Sequence, residues 1–160
     1  MGKIILHRPA YEELAFRRDF LADPETMVYN HAYGGTIDFP AERWADWYRR
    51  WVEEPDRRFY RYLRLEETGE FVGEAAYHWD EELGEYICDV IVTARHRRRG
   101  YGAQGLALLR GAAKENKIMR LCDNIAIDNP AIRMFLKAGF REQYRNEEFV
   151  MLEKDLHFTE

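Results

Sequence analysis

EYICDVIVTARHRRRGYGAQG, residues 85–105, is the stretch on which the reading of this chain turns. Residues 85–93 hold isoleucine, valine, tyrosine and threonine in close succession and predict the most β-like strand of the chain. A dense basic run follows, Arg95-His96-Arg97-Arg98-Arg99, and then glycines at 100 and 102. A helix is expected from about Gly102 to Asn116. Glycines let the backbone come close to whatever sits at the turn. The first N–H groups of a helix lack intrahelical partners, and its dipole places positive charge at the same end. Such a strand–turn–helix is an anion site that a diphosphate would fit. It is not a P-loop, because no Gly-Lys-Ser/Thr follows, and it lacks the three-glycine dinucleotide spacing. On these residues alone, a tight turn carrying solvated arginines is an equal reading.

The pattern on either side builds a domain around that unit. Residues 58–65 (RFYRYLRL) and 71–79 (FVGEAAYHW) predict a hairpin across the turn EETGE. Residues 119–127 (MRLCDNIAI) predict a strand. Asn129-Pro130 caps a helix that ends at Gly139, and 140–144 with 149–156 predict a last hairpin. At the front, residues 3–6 (KIIL) read as a short strand, and Pro9 opens a helical stretch. Asp23-Pro24 is expected to restart a helix, which runs into the loop YNHAYGGTIDF. Pro40 begins the clearest helix, where Trp44, Trp47, Tyr48, Trp51 and Val52 form a full apolar stripe. The order βααβββαβαββ predicts an α/β (α+β) fold: one domain over residues 1–160. Its sheet is mixed and mostly antiparallel, with one central β-α-β unit.

Composition narrows the function. The 160 residues are 46% hydrophobic and 33% charged, and their net charge is -5. That is a soluble globular balance with no apolar run long enough for a membrane span. No signal peptide is visible, and Leu6 breaks the myristoylation pattern at Gly2. Cys88 and Cys122 form no CxxC pair and read as reduced thiols of a cytoplasmic protein. An acidic chain whose basic run lacks interleaved aromatics is not expected to bind nucleic acid. No His/Cys/Asp/Glu set has ligand spacing, so no metal is expected.

Two motifs carry a resemblance. Arg97-x-x-Gly100-x-Gly102 is similar to the acetyl-coenzyme A signature of the GNAT superfamily of N-acetyltransferases, [RQ]-x-x-G-x-[GA]. The segment from Asn129 to Phe140, NPAIRMFLKAGF, resembles the family's N-x-A-x-x-x-[YF]-x-x-x-G-F. The element order matches that family along nearly the whole chain. The resemblance implies acetyl transfer from acetyl-CoA, as co-substrate, to a primary amine by direct attack in a ternary complex. It implies that backbone groups of Val90, Ile91 and Val92 meet the acetyl group and pantetheine arm. It places the diphosphate on the turn amides of Arg97, Arg98, Arg99, Gly100, Tyr101, Gly102 and Ala103. Asn129 would touch the coenzyme arm, although Asn before Pro is also an ordinary helix cap. Phe135 is expected to bind the coenzyme by packing near the thioester; many members carry a tyrosine there whose hydroxyl protonates the leaving thiolate, and Phe135 has none.

An attacking amine needs a base. Asp89, inside an apolar strand, leads; Glu74, Tyr86, His78 and Glu85 remain candidates. Strand parity sets 86, 88, 90 and 92 on one face and 89 on the other, unless a bulge re-aims it. The acceptor, a small-molecule or peptide amine, is expected against the loop bearing Tyr29, His31 and Tyr33. A coenzyme-binding or regulatory domain that has lost catalysis is the alternative, and Phe135 is the residue that allows it. A homodimer is compatible with the sequence.

Overall fold

A computed structural model describes residues 2–156, apart from the Tyr33 side chain. The strands are β1 (Ile4–His7), β2 (Arg58–Leu65), β3 (Phe71–Asp80), β4 (Glu85–Val92), β5 (Arg120–Ala126), β6 (Arg141–Arg145) and β7 (Phe149–Asp155). The α-helices are α1 (Leu14–Leu21), α2 (Trp44–Tyr48), α3 (Tyr101–Glu115) and α4 (Ala131–Lys137). Their order along the chain is the one that hydrophobic periodicity predicts.

The seven strands form one sheet in the order β1-β2-β3-β4-β5-β7-β6. Every neighbouring pair is antiparallel except β4 and β5. Those two parallel strands share a single register pair, Ile87 with Cys122. Beyond it they part, so the sheet is split at its middle from Cys88 to Val92. The β3–β4 register runs unbroken from Gly73–Val92 to Asp80–Glu85. With no bulge there, parity along β4 holds.

Each face of the sheet carries its own core. Alternate residues of β2, β3 and β4 send Leu63, Ala75, Tyr77 and Cys88 towards α3 and α4, where Leu106, Leu109 and Phe135 are buried. The other phase sends Tyr60, Tyr62 and Ala76 towards α1 and α2, where Leu14, Phe20, Leu21, Trp44, Trp47 and Tyr48 are buried. Each fully buried leucine is worth roughly 1.5–3 kcal/mol, and this double core holds the split sheet rigid. Helix α3 approaches the sheet closely at Gly105, where a Cβ would stand 2.9 Å from the Leu63 side chain.

Two expected elements take a different form. The helix predicted from Asp23-Pro24 is a turn followed by a 3₁₀ segment, Val28–Tyr33. The Asp23 carboxylate accepts the N–H groups of Glu25 and Thr26 at 3.3 Å, as an N-cap does, but the chain makes a single i→i+4 turn, Met27 N–H to Asp23 C=O at 3.0 Å, before it tightens into the 3₁₀ segment. The tryptophan helix has only five α residues, between a 3₁₀ turn and a π turn over Arg49–Glu53. Its stripe is real: Trp44, Trp47, Tyr48 and Val52 are buried and Trp51 packs against them. Among the described residues, no helix is long and apolar enough to cross a membrane.

Candidate active site

The anion turn is built as its residues require. After β4, Ala94–His96 makes a 3₁₀ turn, Arg98 and Gly100 adopt left-handed φ of 65° and 80°, and α3 starts at Tyr101. No side chain caps the helix, so the N–H groups of Tyr101, Gly102 and Ala103 are open. A Cβ on Gly102 would lie 3.0 Å from the sulfur of Met134 and 3.6 Å from Val92. Its smallness therefore serves the contact of α3 with α4 as well as the open turn.

The basic run divides into two groups. Arg95 and His96 both bind Glu70 at 3.0 Å, and His96 is buried with its other ring nitrogen 2.6 Å from the Thr93 hydroxyl. Arg97 donates to the carbonyls of Glu25 and Thr26 at 3.2 and 2.7 Å. Arg98 and Arg99 are exposed, with no partner among the described residues. They are the side chains of the run left for an anion.

The residues expected beside the coenzyme arm are distributed around the split. Val90 and Val92 pack against the α3 core and Ile91 against the α1–α2 core. Their backbone edge towards β5 carries no strand partner. The Asn129 side-chain oxygen accepts the N–H of Ala131 at 2.9 Å, so it caps α4. Phe135 is 1% exposed, with its ring 4.9 Å from that of Phe140 in a T-shaped contact. It is a core residue, and its motif position did not show this.

Opposite α3, a cavity of about 180 Å³ opens between the sheet and the tryptophan helix. Arg17, Trp47, Trp51, Tyr60, Glu74, Ala76, His78 and Asp89 line it. Glu74 is 3% exposed and accepts a hydrogen bond from the Tyr60 hydroxyl. Asp89 borders the cavity and is exposed there. Loss of bulk water, then the neighbouring charge of Glu74, pushes its pKa well above the ordinary carboxylate range. The two carboxyls are hydrogen-bonded to one another. Burial pushes the tyrosine hydroxyl of Tyr60 up and His78 down.

Of the base candidates, the structure brings Glu74, Asp89 and His78 together and sets the others apart. Tyr86 lies on the opposite face, between Tyr77 and Trp79 at 5.7 and 5.1 Å. Glu85 pairs with Arg120 at 3.3 Å. The loop expected to hold the acceptor instead spans the open end of the split. Tyr29 lies 5.9 Å beneath the Arg97 guanidinium, and His31 reaches Asp128 after β5 at 3.2 Å. The Tyr33 side chain lies outside the described residues.

Arg17 escaped the sequence reading, as did Tyr60. Its signal was present: Leu14, Arg17 and Leu21 fall at i, i+3 and i+7, which puts an arginine on the buried stripe of α1. Among the described residues, no group of three or more His, Cys, Asp or Glu is arranged to hold a metal.

A seven-stranded sheet split at its one parallel pair, with an uncapped helix start at the end of the split, defines a class that matches in sequence as well. The acetyltransferase (GNAT) family profile matches residues 12–140, and the chain belongs to that family. Among solved structures it is similar to an N-acetyltransferase from Staphylococcus aureus Mu50, at 18% identity and a TM-score of 0.76, over 97% of this chain and 99% of that one. It is similar to spermidine N-acetyltransferase from Vibrio cholerae, solved with CoA and spermine, at 12% identity and a TM-score of 0.76, over 96% of each chain. A third similar structure is a Salmonella typhimurium protein solved with acetyl-CoA, at 17% identity and a TM-score of 0.75, over 97% and 95% of the chains. No curated protein matches the chain in sequence.

Proposed function

We propose that the chain transfers an acetyl group from acetyl-CoA to a primary amine of a small molecule or peptide. The observation that carries this reading is the place of Asp89 and Glu74. Their carboxyl pair faces a cavity on β3 and β4, and β4 leads straight into the uncapped start of α3. A diphosphate fits the open N–H groups of Tyr101, Gly102 and Ala103, with Arg98 and Arg99 beside them. The pantetheine arm fits the split between β4 and β5, against the unpaired edge of Val90, Ile91 and Val92.

Acetyl-CoA supplies an activated thioester, so the chain need only orient, polarise and move protons. A backbone N–H on the free edge of β4 stabilises the developing oxyanion. The amine nitrogen bonds to the acetyl carbon as the carbon–sulfur bond breaks. The amine's proton passes to the Asp89–Glu74 pair, and the departing sulfur takes up a proton from solvent. Asp89 accepts the proton in its ionised form, and its raised pKa suits a base working near neutral pH.

Calorimetry with acetyl-CoA, followed by detection of free thiol with a panel of amines, tests this reading. Binding with amine-dependent thiol release is expected. A second reading, a coenzyme-binding domain without catalysis, is favoured by Phe135, which is buried and offers no hydroxyl. Tight binding with no release by any amine would select it. The chain's place of action is proposed to be the cytoplasm.

A further inference from the structure

The guanidinium of Arg17 lies between aromatic rings, 4.4 Å from the centre of Trp47 and 4.6 Å from that of Phe39. Its side chain is 16% exposed, and its Nε stands 3.6 Å from Oε1 of Glu74, an ion pair too long for a hydrogen bond. Nε is buried and donates to nothing, and no acceptor among the described residues takes a hydrogen bond from the rest of the fork. Nearly every buried donor in a folded protein finds a partner. An arginine placed in a cavity with its fork unused calls for a ligand acceptor. A planar guanidinium matches a carboxylate best, through two parallel bonds.

We propose that the acceptor is a free α-amino acid with an apolar side chain, its carboxylate on Arg17 and its amine against the Glu74–Asp89 pair. This rests on the acetyl-transfer reading of the same site. Three features of the cavity support it. The first is spacing. The amino nitrogen and nearest carboxylate oxygen of an α-amino acid are roughly 3 Å apart by standard covalent geometry. Arg17 and Glu74 are separated by a similar distance, 3.6 Å. The second is charge. A cationic side chain and two carboxyl groups line the same cavity side by side, and a zwitterion presents the complementary pair of charges. A polyamine would bring cations to Arg17 and meet repulsion. The third is the rest of the wall: Trp47, Trp51, Tyr60 and Ala76 offer apolar surface in about 180 Å³. That suits a leucine- or phenylalanine-sized side chain and leaves no room for a long one.

Matched acceptors that differ only in the carboxylate test the proposal without altering the protein. Leucine is compared with 3-methylbutylamine, phenylalanine with 2-phenylethylamine, and leucinamide stands for a peptide end. Binding to the acetyl-CoA-loaded protein is read from Trp47 and Trp51 fluorescence, and transfer from acetylated product. The amino acids should exceed their amines by about 100-fold in kcat/KM, the scale on which a site built for a polar group rejects its absence. In Arg17→Lys, which keeps the charge but loses the fork, that ratio should fall at least about tenfold, through KM. Equal or better acetylation of the amines, or of leucinamide, would overturn the proposal and leave acetyl transfer intact. An unchanged ratio in a folded Arg17→Lys would also overturn it, because Arg17 would then only balance Glu74. Selective binding of the amino acids without product would keep the ligand and remove the transfer reading. No binding and no product from either member of a pair would end the proposal.

Discussion

Arg97, the arginine of the coenzyme signature, donates to the Thr26 carbonyl at 2.7 Å and so ties the β4–α3 turn to the α1–α2 connection. Thr26 returns the link, its hydroxyl accepting the N–H of Ala94 at 3.0 Å. The signature arginine thus shapes the turn, and its charge is already engaged. Arg97→Ala should lower stability by about 1 kcal/mol, the net worth of its lost bonds, read as a drop in Tm. Arg98→Ala and Arg99→Ala should leave Tm unchanged and weaken acetyl-CoA, with a smaller dependence of affinity on salt than in the wild type. Calorimetry across a salt series separates the two classes. A melting loss in Arg99→Ala, or salt-independent binding in the wild type, would refute the division.

Asp89 and Glu74 should act as one unit. Asp89→Asn should cut turnover by about 10²–10⁴-fold, the usual contribution of a positioned base, with acetyl-CoA affinity almost unchanged. Asparagine resembles the protonated acid that the folded protein prefers, so stability should hold. Because the folded pKa of Asp89 is raised, the wild-type rate should climb with pH through a midpoint above the ordinary carboxylate range. That climb should vanish in Glu74→Gln combined with Asp89→Asn. Persistence of the same pH profile in the double variant would place the base elsewhere, with His78 next in reach.

Asp123 gives a stability signature that is read without running the reaction, although its charge also raises the pKa of Asp89. Burial pushes its carboxyl from 3.8 up to about 8. A raised folded pKa means that the native state keeps a proton the unfolded chain has released. Stability from this group is therefore full below about pH 4 and is lost as pH rises towards 8. Asp123→Asn should flatten the wild-type decline across that window and raise Tm at pH 8. Denaturant melts at several pH values measure it; parallel curves for the two proteins would show that Asp123 titrates normally.

The fold was legible because its signals are long and periodic. Alternation in β2, β3 and β4 and the tryptophan stripe of the α2 region are repeated burial patterns, and tertiary packing enforces them. The coenzyme turn was legible from glycine spacing. The acid–aromatic cavity was only half legible. Asp89 stood out as a charge in an apolar strand, whereas Arg17 resembled any solvated helix arginine until its helix was seen to bury that stripe. Asp23 caps one turn as its position implies, and the expected helix stops there because the chain tightens into the 3₁₀ segment from Val28. Tyr29 and His31 were placed by loop membership alone, which says nothing of where a 3₁₀ segment lies. Only the contacts with Arg97 and Asp128 show that it spans the split.

Phe135 offers the sharpest test of how far the family motif extends into this site. Many relatives of this pattern carry a hydroxyl there, so Phe135→Tyr restores the motif with one added oxygen. Were the ring to face the thioester, that oxygen would find a polar neighbour, and turnover would rise by up to about 10²-fold, the scale of a positioned acid. The packing points the other way. Phe135 is 1% exposed, and Phe140 presents its ring at 4.9 Å. A hydroxyl placed in that surrounding has no acceptor and loses its water. The substitution should therefore cost about 1–3 kcal/mol of stability and leave turnover unimproved. Tm and turnover are measured on the same variant, with acetyl-CoA affinity as a control. A stable variant with faster turnover would place residue 135 beside the coenzyme after all. Destabilisation with unchanged turnover would show that the protonation of the leaving thiolate does not pass through α4.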